Sequence, residues 1–160
     1  MTNKKHTLVA LVEDRPGVLN RVASLFRRRA FNIESIAVGR SEKPGLSRMT
    51  VVVDGNSAKI EQVRKQLDKL INVVRVTDIT AEDIVTRELA LIKVNATAVT
   101  RSEIIQIVDI FRANIVDVAS NSLTVEVTGD EDKVESMLEL LRSFGVKEIS
   151  KTGKIALTRG

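Results

Sequence analysis

Leu8-Val9-Ala10-Leu11-Val12-Glu13-Asp14-Arg15-Pro16-Gly17-Val18-Leu19-Asn20-Arg21-Val22 changes its hydrophobic period halfway along. Up to Val12 the run is continuously apolar, so residues 7–12 read as a buried strand. From Gly17 onward Val18, Val22, Leu25 and Phe26 share one helical face. A strand therefore ends, and a helix begins, around Asp14-Arg15-Pro16-Gly17. Proline is tolerated there because first-turn amides have no intrahelical partner. Asp14 is the expected N-cap, its carboxylate accepting from those amides. Gly17 has no Cβ and lets a ligand approach the backbone, and it serves equally as a turn glycine. Free amides at the positive end of a helix dipole make a site for a small anion, with one carboxylate as the natural guest. The glycine-rich patterns of phosphate cradles are not present.

Outward from this corner the elements alternate. Residues 33–38 read as a second strand, with Ile33, Ser35 and Ala37 alternating against Glu34, Ile36 and Val38. A loop at 39–46 leads to a third strand at 48–54. Ser57 is the expected cap of a second helix carrying Ile60, Val63, Leu67 and Leu70 on one side. Residues 73–79 read as a fourth strand, completing βαββαβ, the ferredoxin-like order. Thr80-Ala81-Glu82-Asp83 is polar, and then the order recurs: a strand at 88–95; a helix opened by Thr100-x-x-Glu103 as a capping box; strands at 115–118 and 123–128; a helix at 131–144; Gly145 as its C′ residue; a strand at 146–150; and a short one at 154–159. The expected class is α+β, with two consecutive ferredoxin-like βαββαβ domains at 1–79 and 87–160, joined by a linker at 80–86.

The halves share a phrase. Arg29-Ala30-Phe31-Asn32-Ile33-Glu34-Ser35-Ile36 is similar to Arg112-Ala113-Asn114-Ile115-Val116-Asp117-Val118, each at a helix-to-strand corner. Thr97-Ala98-Val99-Thr100-Arg101 stands where the first half has Asp-Arg-Pro-Gly, so an anion site is expected in the first half alone.

Composition narrows the chemistry. The 160 residues are 43% apolar with a net charge of +4, enough for a core and too little charge to indicate a polyanionic partner. The absence of cysteine removes disulfides, thiolate catalysis and cysteine zinc sites, and suits a cytoplasmic protein. His6 is the single histidine, so a histidine metal centre or a catalytic triad is not expected; it reads as an exposed residue at a strand start. No run of about 18 apolar residues marks a membrane span, and residues 1–6 do not read as a signal peptide. Arg27 to Arg29 read as a solvated helix end, and Phe26, Phe31, Phe111 and Phe144 as core. Two other classes share the fold order. RNA readers place aromatics on the central strands, and residues 48–53 carry none. Acylphosphatase-like hydrolases use an arginine in the first strand–helix loop with a nearby asparagine, a pattern that Arg15 and Asn32 mimic without the glycine-rich cradle.

Three stretches together carry a resemblance: residues 11–22; Arg28-Arg29-Ala30-Phe31-Asn32-Ile33-Glu34-Ser35-Ile36-Ala37-Val38; and Leu46-Ser47-Arg48-Met49-Thr50. They resemble the ACT domain of the small, regulatory subunit of acetohydroxyacid (acetolactate) synthase. The resemblance continues through residues 65–70, 87–94 and 111–118 to Ala156-Leu157-Thr158-Arg159-Gly160. It implies a chain without catalytic residues or cofactors of its own. Thiamine diphosphate, a divalent metal and FAD would sit in a separate catalytic large subunit of valine, leucine and isoleucine synthesis. It implies a homodimer through the ACT domains, feedback inhibition by L-valine or another branched-chain amino acid, and no nucleic-acid or membrane partner. The implied effector site is Asp14, Arg15, Pro16, Gly17, Val18 and Leu19 from one chain with Asn32 and Ile33 from the other. The effector's carboxylate would meet amides around Gly17 and Val18, its ammonium would face Asp14, and Ile33 would touch its side chain. Many members carry Asn in place of Asp14. The basic loop at 40–48, or the second domain, is the expected contact for the catalytic subunit.

Overall fold

The computed structural model describes residues 4–29 and 31–160; Ala30 and residues 1–3, which the phrase comparison and the N-terminal reading touch, lie outside them. The chain divides into two compact units, one of Met1–Val85 with Lys154–Gly160 and one of Thr86–Gly153. Each is a βαββαβ unit, so the fold is α+β as expected.

The first unit runs β1 (Lys4–Glu13), α1 (Val18–Arg28), β2 (Asn32–Arg40), β3 (Leu46–Gly55), α2 (Ser57–Asp68) and β4 (Val73–Asp78). Its antiparallel sheet has the order β2-β3-β1-β4, with β1 paired to β3 from Lys4 opposite Gly55 to Glu13 opposite Leu46. Side chains alternate across a strand, so Leu8, Ala10 and Val12 of β1 and Met49, Val51 and Val53 of β3 form one buried face. Val18, Val22 and Phe26 of α1 and Ile60, Val63 and Leu67 of α2 pack onto it, burying the helical stripes expected from their spacing. Phe31 meets Phe26 edge-on, with ring centroids 6.3 Å apart.

The opposite face of this sheet is covered by the end of the chain. Ala156 on β9 (Ile155–Thr158) packs with Val9 and Ile79. The Lys154 amide donates to Ser35 Oγ at 2.8 Å, Arg48 donates to the Ala156 carbonyl at 2.8 Å, and the Arg159 amide donates to the Asp83 carbonyl at 2.9 Å. The sequence division assigns residues 87–160 to the second domain; these contacts group the tail with the first unit. The polar stretch after β4 is built in as well, since the Thr7 amide donates to Thr80 Oγ1 at 3.0 Å.

His6 departs from expectation. It is only 8% exposed, because even-numbered positions of β1 face the helices and β4 and α2 close over it. Its ring bonds Asp78 and Ser57.

The second unit runs β5 (Ile84–Asn95, its first two residues in the first unit), α3 (Arg101–Ile110), β6 (Asn114–Val118), β7 (Ser122–Gly129), α4 (Glu131–Arg142) and β8 (Val146–Lys151). The strand order β6-β7-β5-β8 repeats that of the first unit. Ala90, Ile92, Val94, Leu123, Val125 and Val127 bury against Ile104, Val108, Val134, Met137, Leu138 and Leu141. The duplication extends to irregularities: the register slips at Ile33/Ser35 in β2 and at Ile115/Asp117 in β6. Both corners close with a helix-ending bond over five residues, Phe31 N–H to Phe26 C=O and Ala113 N–H to Val108 C=O. Gly145 has the positive φ expected of a C′ residue.

Three helix caps differ from their sequence readings. Gly17, not Asp14, occupies the N-cap of α1. Asn56, one residue before Ser57, caps α2, its Oδ1 accepting from Ala58 N–H at 2.9 Å. Thr100 heads α3 without capping it: its Oγ1 turns back to accept from Thr97 N–H at 2.8 Å. Among the described residues no helix is long and apolar enough to cross a membrane.

Candidate functional site

The loop between β1 and α1 is built by two residues. Gly17 has φ 85° and ψ −12°, and the Val18 amide reaches back to the Arg15 carbonyl at 3.4 Å. Proline then glycine at the two central positions, a positive φ at the glycine and that bond together make a type II turn. The turn is what requires glycine: a Cβ on Gly17 would meet nothing within 4 Å, but a side chain resists positive φ. This also explains why Asp14 is not the cap. The turn places Gly17 at the N-cap and leaves Asp14 three residues back.

The helical ladder of α1 begins with Arg21 N–H to Gly17 C=O at 3.1 Å. The amides of Leu19 and Asn20 precede it and face outward at the positive end of the helix. Val18 is buried and pins the turn, whereas Leu19 is 46% exposed beside it. On one side of the loop, Asp14 N–H donates to Gly45 C=O at 2.9 Å, and its carboxylate lies 3.5 Å from Arg40 Nε. On the other side, Arg15 pairs with Glu13 at 2.9 Å, and Asn72 Nδ2 donates to Glu13 at 3.1 Å. Arg21 donates to the Asn72 carbonyl oxygen. The turn is thus clamped to both neighbouring connections. Arg40, Gly45 and Asn72 are the holders that sequence reasoning missed, because each is distant along the chain. The Lys43-Pro44-Gly45 turn of the β2–β3 hairpin was the only local hint of one of them.

Asp14, Arg15, Pro16, Gly17, Val18 and Leu19 therefore form one surface. Asn32 and Ile33 do not join it within the chain. Asn32 pairs with Asp54, while the loop follows Glu13, which pairs with Leu46. Eight residues of β3 separate those levels, about 26 Å. Asn32 is exposed and Ile33 half-buried at the start of β2, an edge strand whose Ile36 and Val38 are 37% and 47% exposed. The same separation keeps Arg15 from Asn32, so the constellation of an acylphosphatase-like site is not assembled. Among the described residues no group of His, Cys, Asp and Glu is arranged to hold a metal ion.

Comparison with known proteins bears on the whole chain. Residues 87–160 match the family model for the small subunit of acetolactate synthase, and residues 8–75 match the ACT domain of that small subunit. A probable acetolactate synthase small subunit from Archaeoglobus fulgidus is 56% identical over 156 residues, 98% of each chain. The acetolactate synthase small subunit from Mycobacterium leprae is 56% identical over 155 residues, covering 97% of this chain and 92% of its own. The crystal structure of the Thermotoga maritima acetolactate synthase small subunit superposes with a TM-score of 0.89 at 45% identity, covering 98% of both chains.

Proposed function

This chain belongs to the family of acetolactate synthase small subunits, and on that footing we propose that it is a non-catalytic regulatory subunit that activates a separate catalytic large subunit and confers feedback inhibition by a branched-chain amino acid, valine first. Thiamine diphosphate, the divalent metal and FAD belong in this reading to the large subunit, and this chain carries none. The complex works in the cytoplasm on the route to valine, leucine and isoleucine.

The observation that carries the effector site is the clamped type II turn, which presents first-turn amides of α1 beside the Asp14 carboxylate. An amino acid offers the complementary pair, a carboxylate for the amides and an ammonium for Asp14. Asn32 and Ile33 enter from a second copy. Two β2 edges paired antiparallel about a two-fold axis bring the Asn32 end of one against the Arg40 end of the other, which is the end beside the turn. The edge position of β2 and its exposed Ile36 and Val38 support that pairing. Inhibition then works by population shift: the effector binds one arrangement of the dimer better, and that arrangement changes the contacts made on the large subunit.

Valine has about eight non-hydrogen atoms, so the best ligand efficiency caps its binding near ~12 kcal/mol. Dimer ordering consumes much of that, and the expected affinity is micromolar to millimolar. Calorimetric titration of the chain with valine, leucine and isoleucine tests the site. Saturable heat with valine, absent in Gly17→Asp, supports it. Undiminished heat in that variant moves the site elsewhere.

A further inference from the structure

Three distant segments bring a serine, a histidine and an aspartate into line, and the regulatory reading leaves them without a task. His6 Nδ1 and Asp78 Oδ2 are 2.7 Å apart, and His6 Nε2 lies 3.2 Å from the Oγ of Ser57. The second carboxylate oxygen of Asp78 accepts from the Thr80 amide at 3.0 Å and from the Thr80 hydroxyl. Burial pushes the Asp78 carboxyl up, but the Thr80 hydroxyl and amide and the His6 ring outweigh it and hold it below its ordinary value of 3.8. In the neutral ring, with Nδ1–H donating to the ionised Asp78, Nε2 is the acceptor and faces the Ser57 hydroxyl.

The setting of Ser57 differs from that of its partners. His6 is buried, whereas Ser57, Ala58 and Lys59 are exposed residues, so the line runs from a buried base to a serine at the surface. Ser57 is the first residue of the 12-residue helix α2. Negative charge developing next to its Oγ forms at the positive end of that helix. The hydroxyl is not needed as a cap, because Asn56 already serves the Ala58 amide. The connections hydroxyl to imidazole and imidazole to buried carboxylate are those by which an activated serine is recognised, whatever the fold or chain order.

We propose that Ser57 is an activated nucleophile, a site at which this chain takes up a small acyl group from an activated ester or thioester. Ser57 Oγ bonds the acyl carbon, and the bond from that carbon to the leaving oxygen or sulfur breaks. The hydroxyl proton passes to His6 Nε2 and from there to the leaving group. Ser57 and His6 take part directly, and Asp78 is a positioning residue that sets the tautomer. The open surroundings suit a small acyl group on a carrier that stays in solvent, and the product is an acyl-serine.

The full chain is incubated with 4-nitrophenyl acetate near neutral pH, nitrophenolate release is followed, and acetylated peptides are identified by mass spectrometry. The expected result is one acetyl group on the peptide containing Ser57, formed about a hundredfold faster than on other exposed serines. Ser57→Ala removes it and leaves both the melting temperature and valine sensitivity of the reconstituted enzyme unchanged. His6→Gln and Asp78→Asn slow the labelling of Ser57 by a similar factor. Thr80→Val, which keeps both residues, gives a smaller loss in the same direction and serves if either buried variant fails to fold. Acetyl groups spread evenly over exposed serines, or Ser57 labelling at an unchanged rate in these variants, overturns the proposal.

Discussion

The two units share strand order, helix placement and even the bulge after the first helix, yet they build the turn that leads into that helix from different chemistry. In the second unit the turn before α3 is tied by its own threonines, and Glu103 places a carboxylate in the first turn of the helix. Thr97 N–H donates to Thr100 Oγ1 at 2.8 Å, Thr100 N–H donates to Thr97 Oγ1 at 3.2 Å, and Arg101 N–H donates to Thr97 C=O at 3.0 Å. The Arg101 side chain binds the Ala119 and Ser120 carbonyls as well. In the first unit the Pro16–Gly17 turn relies on backbone alone, its glycine at positive φ, and the first turn of α1 carries no acidic residue, so its outward amides meet no carboxylate of their own helix. One βαββαβ framework thus carries a helix start with its own carboxylate and one without. The difference lies in the turn and in Glu103, not in the fold.

The contrast can be broken most forcefully at Gly17. Gly17→Asp places a carboxylate where the effector's is expected and asks an aspartate to hold φ 85°. Inhibition of the reconstituted enzyme by valine should fall at least tenfold while activation persists. Gly17→Ala is the control for backbone strain, about 1–2 kcal/mol, and should retain more sensitivity. In the second unit, Thr100→Val removes the hydroxyl that meets Thr97. Denaturant titration should show a loss of about 1 kcal/mol, the usual worth of such a terminal bond, with inhibition unchanged. A loss of inhibition there would mean that the second unit also holds effector.

The corner after each first helix offers a smaller test. Arg112 adopts φ 54°, a conformation that costs a side chain and costs glycine nothing. Arg112→Gly should raise the stability of the second unit by up to about 1 kcal/mol, read as a higher melting temperature. The smallest effect is expected at Arg40, whose side chain is 89% exposed in its pair with Asp14. Surface pairs contribute little. Arg40→Ala should therefore tighten valine binding by a few fold, by freeing Asp14 for the ammonium, and calorimetry would resolve that.

What the sequence exposed was local. The period change at Asp14-Arg15-Pro16-Gly17 located the turn, because proline and glycine act through their own backbone. The stripes Val18-Val22-Phe26 and Val134-Met137-Leu138-Leu141 gave the buried faces for the same reason. What it concealed depended on chain partners far away. Asp14 looked like a cap until the turn type moved that role to Gly17. Thr100 and Glu103 matched a capping box, yet Thr97 competes successfully for the threonine hydroxyl. His6 looked exposed because nothing near it announces Asp78, 72 residues on, or Ser57. The site residues Asn32 and Ile33 are legible only through resemblance, since within one chain they stand a sheet's length from the turn.

The strand formed by the last residues has a consequence for biosynthesis. Val9 and Ile79 are made early, but Ala156, which covers them, is made only after the second unit. On the ribosome the first unit can close its helical face as soon as β4 emerges, while the other face of its sheet waits uncovered through the making of the entire second unit. Nascent chains of this protein therefore carry an apolar, chaperone-attracting sheet face until residues 155–158 have left the ribosome, and the first unit is finished only after the whole second unit has been made.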